Sequence, residues 1–178
     1  MTSKETTEES IMVAACIQGD KAAQYQFYQR FSPMLFAICK RYADDEDSAK
    51  DMFQEAMIKI FQKLTDFRFE GSLEGWLKRV CVNQCLDALK KSKAKFNESL
   101  NDAHSNLPSD SDILSEINVK NLMQLLGKLP VGYRTVFNLF AIEGYSHAEI
   151  ASMLNITENT SKSQMFKARK WLQNQIVK

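Results

Sequence analysis

Glycine and proline are scarce, Gly 6 and Pro 3 in 178 residues. So few turn formers argue against a strand-and-turn all-β fold and exclude a collagen-like chain. Histidine is scarcer, His104 and His147 standing far apart. No long apolar run exists. The longest, residues 11–17, has seven residues, against the ~18 that a membrane span needs. An excess of one charge is missing too, since 23 Lys+Arg face 22 Asp+Glu, so charge distribution has to carry any argument about partners. The opening decapeptide holds Glu5, Glu8 and Glu9, the wrong sign for a secretory leader. The expectation is a soluble, intracellular chain with no membrane insertion. The four cysteines, Cys16, Cys39, Cys81 and Cys85, have no zinc-site spacing. Cys81 and Cys85 stand four apart, as stacked helical neighbours rather than a chelating knuckle. They are read as small buried hydrophobes in a reducing compartment. No metal and no cofactor is expected.

What is present is helical periodicity. Ile11, Ala14, Ala15 and Gln18 mark a short first helix, closed by Gly19-Asp20. Tyr25, Tyr28, Phe31, Leu35, Ile38 and Tyr42 recur at threes and fours, with Pro33 as a candidate kink. The acidic run Ala43-Asp44-Asp45-Glu46-Asp47 suits a helix N-terminus, and Phe53, Met57, Ile60, Phe61 and Leu64 form one stripe behind it. A loop follows over residues 66–72, and Trp76, Leu77, Val80, Cys81 and Leu89 outline another amphipathic helix. Periodicity then lapses. Residues 96–116 hold five acids and no Lys or Arg, with Ser, Asn, Asp and Pro108 prominent, the composition of a linker. Helical pattern resumes near Ile117, interrupted at Leu129-Pro130 and Glu143-Gly144. The fold class is all-α: two small helical domains, residues 9–95 and 117–178, joined by a flexible acidic linker, residues 96–116.

The most specific signal lies near the C-terminus. Ser146-x-x-Glu149 is a capping box, Asn155-Ile156 a tight turn, and Thr157 the N-cap of a second helix. In that helix Ser161, Met165, Ala168 and Leu172 share an inward stripe. The outward face carries Asn159, Lys162, Ser163, Phe166, Lys167 and Lys170, with Arg169 on its flank. Two packed helices with a solvated basic face are the plainer reading. The capping box, the turn length and the small Ala151 favour a helix-turn-helix that enters a major groove, where Asn, Ser and Lys reach base edges and later cations meet phosphates.

Two further surfaces stand out. Asp47, Asp51, Gln54, Glu55 and Ile58 lie opposite an apolar stripe, as a solvated surface or as an acidic docking face for a basic partner. A cation site at Asp44, Asp45, Glu46 and Asp47 is the weaker reading, since consecutive carboxylates diverge on a helix. Residues 76–95 carry six basic residues and one acid. Arg79, Asn83, Leu86 and Lys90 share a face with Asp87 at its edge, and the preceding loop offers Phe67, Arg68, Phe69 and Ser72. Aromatic rings beside a basic helix can stack exposed bases while cations track the backbone. Phe67 and Phe69 fit either that role or the core, and Trp76 fits the core.

Taken in order, these motifs resemble the extracytoplasmic-function group of the sigma-70 family, the dissociable specificity subunits of bacterial RNA polymerase. Gly19-Asp20, Asp47-x-x-x-Asp51-x-x-Gln54-Glu55, Trp76-Leu77-x-Arg79, Asn83 and Asp87 are similar to the family's second conserved region. Leu129-Pro130, Gly144-Tyr145-Ser146-x-x-Glu149-Ile150-Ala151, Thr160-Ser161-Lys162-Ser163 and Ala168-Arg169-Lys170 are similar to the fourth. Departures fall at Asn155, usually Gly, at Ser161, usually a small aliphatic, and at Gln164, where Arg is common. The resemblance implies that Asp47, Asp51, Gln54, Glu55 and Ile58 dock on the clamp helices of the largest polymerase subunit. It implies that Phe67, Arg68, Phe69, Ser72, Arg79, Asn83, Asp87 and Lys90 hold melted promoter DNA near the start site, with a flipped base in the loop. Asn159, Thr160, Lys162, Ser163, Phe166, Lys167, Arg169 and Lys170 would read upstream duplex. The linker would thread the polymerase channel. It further implies a bacterial cytoplasmic protein that catalyses nothing itself, held off by an anti-sigma factor.

Three rivals are testable. A free-standing helix-turn-helix regulator would bind duplex tightly without polymerase. A nuclease needs convergent carboxylates with His or Lys, a set not offered at useful spacing. A helical adaptor would show salt-independent behaviour with DNA.

Overall fold

The computed structural model describes residues 3–91 and 119–176, with side chains described over 8–91 and 123–175. The expected linker, residues 96–116, lies outside the described residues. Among those described there are helices and turns and no strand. The chain divides into two compact units, Met1–Ala88 and Leu89–Lys178, the division falling within the last turns of a helix. No helix among the described residues is long and apolar enough to cross a membrane.

The first unit contains α1 (Ser3–Ile17), α2 (Lys21–Tyr42), α3 (Glu46–Lys63), a single 3-10 turn (Leu64–Asp66) and α4 (Leu73–Lys91). The inward stripe of α1 is Glu9, Val13 and Cys16, not the expected Ile11, Ala14, Ala15 and Gln18; Ile11 is 65% exposed. The apolar run is nearly continuous, so composition alone cannot phase it. The buried Glu9 carboxylate decides, accepting a 2.7 Å bond from Arg30 Nη2 of α2. A buried carboxylate needs such a partner. Gly19 takes φ 85° at the corner, a region open to glycine at no steric cost. Asp20 then caps α2, its Oδ1 accepting the N–H groups of Ala22 at 2.8 Å and Ala23 at 3.0 Å.

Ala23, Phe27, Phe31, Leu35, Ile38 and Tyr42 are buried along α2. Tyr25 and Tyr28 are exposed, Tyr25 at 64%, so the expected stripe is wrong over its first two turns. Phe27 holds the core position there, its ring 4.8 Å from Phe31 and 5.3 Å from Phe61. The helix runs through Pro33, which sits on the exposed side. Asp45 caps α3, accepting the Ser48 N–H at 2.7 Å, and Met52, Phe53, Ala56, Met57 and Ile60 face inward. Phe61 is half-buried. Full burial of one such large side chain is worth ~1.5–3 kcal/mol.

The second unit contains α5 (Val119–Lys128), α6 (Val131–Phe137), a π-helical turn (Asn138–Ile142), α7 (His147–Leu154) and α8 (Glu158–Ile176). Its core joins Leu126, Leu129 and Tyr133 to Ala168, Trp171 and Leu172. Ser161, Met165, Ala168 and Leu172 are all buried, in accord with the inward stripe read from spacing; Gln164 and Trp171, which that reading left out, are buried beside them.

Candidate nucleic-acid interface

Three surfaces collect the expected residues. On α3, Asp47, Asp51, Gln54, Glu55 and Ile58 are all exposed, along the edge opposite Met52, Ala56 and Ile60. Lys50 crosses this face, its Nζ 3.2 Å from Asp47 and 3.5 Å from Glu46, and the hydrogen bond to Asp47 holds its pKa above the ordinary lysine value. Asp51 and Glu55 therefore form the acidic centre, with the neutral Gln54 beside them and Ile58, 53% exposed, as an apolar neighbour.

The loop between α3 and α4 encloses a cavity of about 420 Å³, within the range of ligand clefts, whose wall includes Phe67, Arg68, Ser72, Trp76 and Arg79. Phe67 is buried, its ring 5.5 Å from Trp76 and 4.6 Å from Phe69. Of its two readings the core one holds, and Phe67 is a wall of the cavity rather than a free stacking platform. Trp76, expected in the core, is only half-buried. Phe69 is exposed with φ 58°, a genuine outlier for a bulky residue. Ser72 caps α4: its Oγ accepts the Gly75 N–H at 2.9 Å and its carbonyl accepts from Trp76 at 3.1 Å. Its hydroxyl is thus engaged in the helix start. A Cβ at Gly75 would stand 3.1 Å from that oxygen, so the glycine keeps the cap unstrained.

Arg79, Asn83 and Asp87 continue from the cavity at i, i+4 and i+8 along the exposed face of α4, with Lys90 half-buried in the last turn. Leu86 does not share this face, being 2% exposed. The buried arc of α4 takes in Leu73, Leu77, Cys81, Val82, Cys85, Leu86 and Leu89, wider than the stripe drawn from Trp76, Leu77 and Val80. That width leaves a narrow polar strip.

In the second unit the turn expected from sequence is built as drawn. Ser146 Oγ accepts the Glu149 N–H at 3.2 Å while Glu149 accepts the Ser146 N–H at 2.8 Å. Asn155 holds φ 55°, ψ 48°, and Thr157 Oγ1 accepts the Thr160 N–H at 3.0 Å. On α8, Asn159, Lys162, Ser163, Arg169 and Lys170 are exposed, and so is Phe166, at 66%. Thr160 is half-exposed with its hydroxyl 2.8 Å from that of Thr157. Lys162 pairs with Glu158 at 2.7 Å, which lowers the Glu158 pKa. Lys167 is half-buried with its Nζ 5.8 Å from the Tyr133 ring centroid, so it belongs partly to the core edge. The residue that sequence reasoning passed over is His147. Its ring stacks on Phe140 at 4.3 Å and its Nδ1 lies 2.9 Å from the buried Ser161 hydroxyl. This explains a serine where an aliphatic is usual, since the hydroxyl ties the start of α7 to α8.

The only metal-competent grouping of His, Cys, Asp and Glu among the described residues is Cys39, Cys81 and Cys85, far from these surfaces in character: all three are buried in the core of the first unit.

Comparison with known proteins adds independent findings. The family model for sigma-70 region 2 matches residues 27–95, and that for sigma-70 region 4 matches residues 120–172. The chain is 30% identical over 158 residues to the ECF RNA polymerase sigma factor SigM of Mycobacterium tuberculosis, covering 89% of this chain and 79% of that one. It is 26% identical to the ECF RNA polymerase sigma-E factor of Escherichia coli, covering 97% of this chain and 96% of the relative. Among solved structures it resembles the sigma factor RpoE of Bartonella quintana, solved with the anti-sigma factor NepR. The TM-score is 0.53 at 21% identity, with 84% of this chain and 94% of that one covered. CnrH, solved with the cytosolic domain of CnrY, gives a TM-score of 0.50 at 23% identity, covering 92% and 94%. These two likenesses concern the fold.

Proposed function

The chain belongs to the extracytoplasmic-function group of the sigma-70 family, and we propose how its surfaces divide the work of such a factor. It is an RNA polymerase sigma factor that directs promoter-specific initiation by binding core RNA polymerase and promoter DNA. In this reading it makes and breaks no bond, acts in the bacterial cytoplasm, and is released from an anti-sigma partner when needed. Asp51, Gln54, Glu55 and Ile58, with Asp47 at the edge, dock on the clamp helices of the largest polymerase subunit, where carboxylates supply orientation and association rate and Ile58 an apolar anchor.

The cavity behind residues 67–72 receives an unstacked base of the melted strand. Trp76 offers a ring face, Phe69 backs the wall through Phe67, and Arg68 and Arg79 meet the flanking phosphates. Asn83 and Asp87 extend the contact down α4. The second unit places the N-terminal half of α8 in the upstream major groove. Asn159, Lys162 and Ser163 stand nearest base edges, Phe166 gives an apolar contact, and Arg169 and Lys170 meet phosphate. The roles of Ser72 and Lys167 are reduced to supporting the helix start and the core edge.

The observation that carries this reading is the continuity of the cavity with the Arg79–Asn83–Asp87 strip, a single-strand surface for which a regulator of duplex DNA has no use. The test is transcription in vitro from a promoter-rich genomic library by core polymerase, with and without the chain. Discrete new start sites sharing a two-part upstream motif are expected, and Arg79→Ala with Asn83→Ala should keep polymerase binding while losing open-complex formation. Tight duplex binding without new starts would instead favour the free-standing regulator.

A further inference from the structure

Three thiols meet inside the first unit with nothing in the promoter chemistry to employ them. Cys39 comes from α2, and Cys81 and Cys85 from successive turns of α4. Cys39 Sγ stands 3.6 Å from Cys81 Sγ and 3.9 Å from Cys85 Sγ, and all three sulfurs lie within 4.8 Å of one another. Each residue is fully buried. Cys16, the fourth cysteine, is buried elsewhere. As metal-free groups they form a weak set: Cys85 donates to Cys39, and Cys81 reaches the Leu35 carbonyl at 3.7 Å. With metal–sulfur bonds of about 2.3 Å, sulfurs around one ion stand about 3.8 Å apart at tetrahedral angles and about 4.0 Å apart in a plane. The two separations from Cys39 already fall close to those values, and the third pair lies within 4.8 Å.

We propose that Cys39, Cys81 and Cys85 form a three-sulfur site for a soft monovalent d10 cation, Cu(I) being the ion that the donor set suits. Thiolate sulfur selects soft ions over hard ones. Among the described residues no histidine or carboxylate joins the cluster, and full burial leaves no place for the water that a three-ligand zinc site keeps in its fourth position. Binding releases thiol protons to solvent, and three thiolates leave a net negative charge on the cluster with either ion, so the preference for Cu(I) rests on the all-sulfur donor set and the missing fourth ligand. Entry requires a local opening of α4 from α2, and occupancy staples the two helices together.

The experiment uses the full chain, reduced and kept from oxygen, titrated with Cu(I) against a chromophoric Cu(I) chelator, with loading both in the native state and on refolding. One equivalent per chain is expected to resist the chelator and raise the melting temperature. Cys39→Ala and Cys81→Ala each lose at least ten-fold in affinity, and Cys16→Ala loses nothing. Because core substitutions can unfold a small domain, X-ray absorption at the copper edge of the unaltered protein supplies the second readout: three sulfur neighbours and no nitrogen or oxygen. Absence of a chelator-resistant equivalent, a nitrogen- or oxygen-bound copper, or tighter binding of Zn(II) under the same conditions would each overturn the assignment.

Discussion

Asn155 and Phe69 both hold a positive φ, 55° and 58°, for unrelated reasons. At Asn155 the left-handed residue ends α7 and starts the turn into α8, and asparagine enters that region at small cost. Asn155→Gly is expected to keep stability and upstream DNA binding, whereas Asn155→Ala should lose ~1 kcal/mol by chemical denaturation. At Phe69 a bulky residue is held where the cost is ~1–3 kcal/mol, and its exposed ring lies 4.6 Å from that of Phe67, which lines the cavity. Phe69→Gly removes that strain along with a ring contact worth ~0.5–1.5 kcal/mol. Unchanged or higher stability is expected with weaker capture of a single-stranded promoter oligonucleotide by the polymerase-bound factor. On α8 the exposed residues separate by role. Asn159→Ala should change which upstream sequence is preferred. Lys170→Ala should weaken all sequences alike and reduce the slope of log affinity against log salt by about 1, as fluorescence anisotropy over a salt series would read.

Each helix start is a small electrostatic device, and Asp45 at the head of α3 is the clearest. The Ser48 N–H, donating to its carboxylate, lowers the Asp45 pKa. A lowered carboxylate stabilises the fold above the unfolded-state value near ~3.9, and that contribution disappears as pH falls through the folded value. Asp45→Asn, an equally good cap when neutral, is therefore expected to match the parent near neutral pH and to show a flatter loss of melting temperature in acid. The same starts explain what could be read from sequence. Ser146 with Glu149, Asn155 and Thr157 act through neighbours within three or four residues, so spacing alone locates them, whereas Gly19-Asp20 was legible only as a break and its cap on α2 came from the structure. Phase over uniform apolar stretches was not legible: Ile11 and Tyr25 look as inward-facing as Val13 and Phe27 until the Glu9–Arg30 pair and the facing helix α3 decide. Leu86 was misplaced because α4 buries a broad arc. His147 with Ser161, and Cys39 with Cys81 and Cys85, join residues 14 to 46 positions apart, beyond any local pattern.

At the scale of the whole chain, near-neutrality conceals a division of labour. Acid gathers on α3 of the first unit, and base gathers along α4 and α8, so a net charge of +1 is a sum over opposed surfaces. Asp51→Lys combined with Glu55→Lys inverts the docking face without touching the core. Loss of core-polymerase binding in size-exclusion chromatography is expected, with the far-ultraviolet helical signal unchanged; binding that survived would remove the docking assignment. The chain has two tryptophans, and they fall one to a unit: Trp76 in the cavity wall and Trp171 in the core that holds α8. The protein thus carries its own pair of chromophores. With Trp171→Phe, the remaining emission tests the proposed stacking of a base into the cavity. With Trp76→Phe, it reports only whether the second unit is folded.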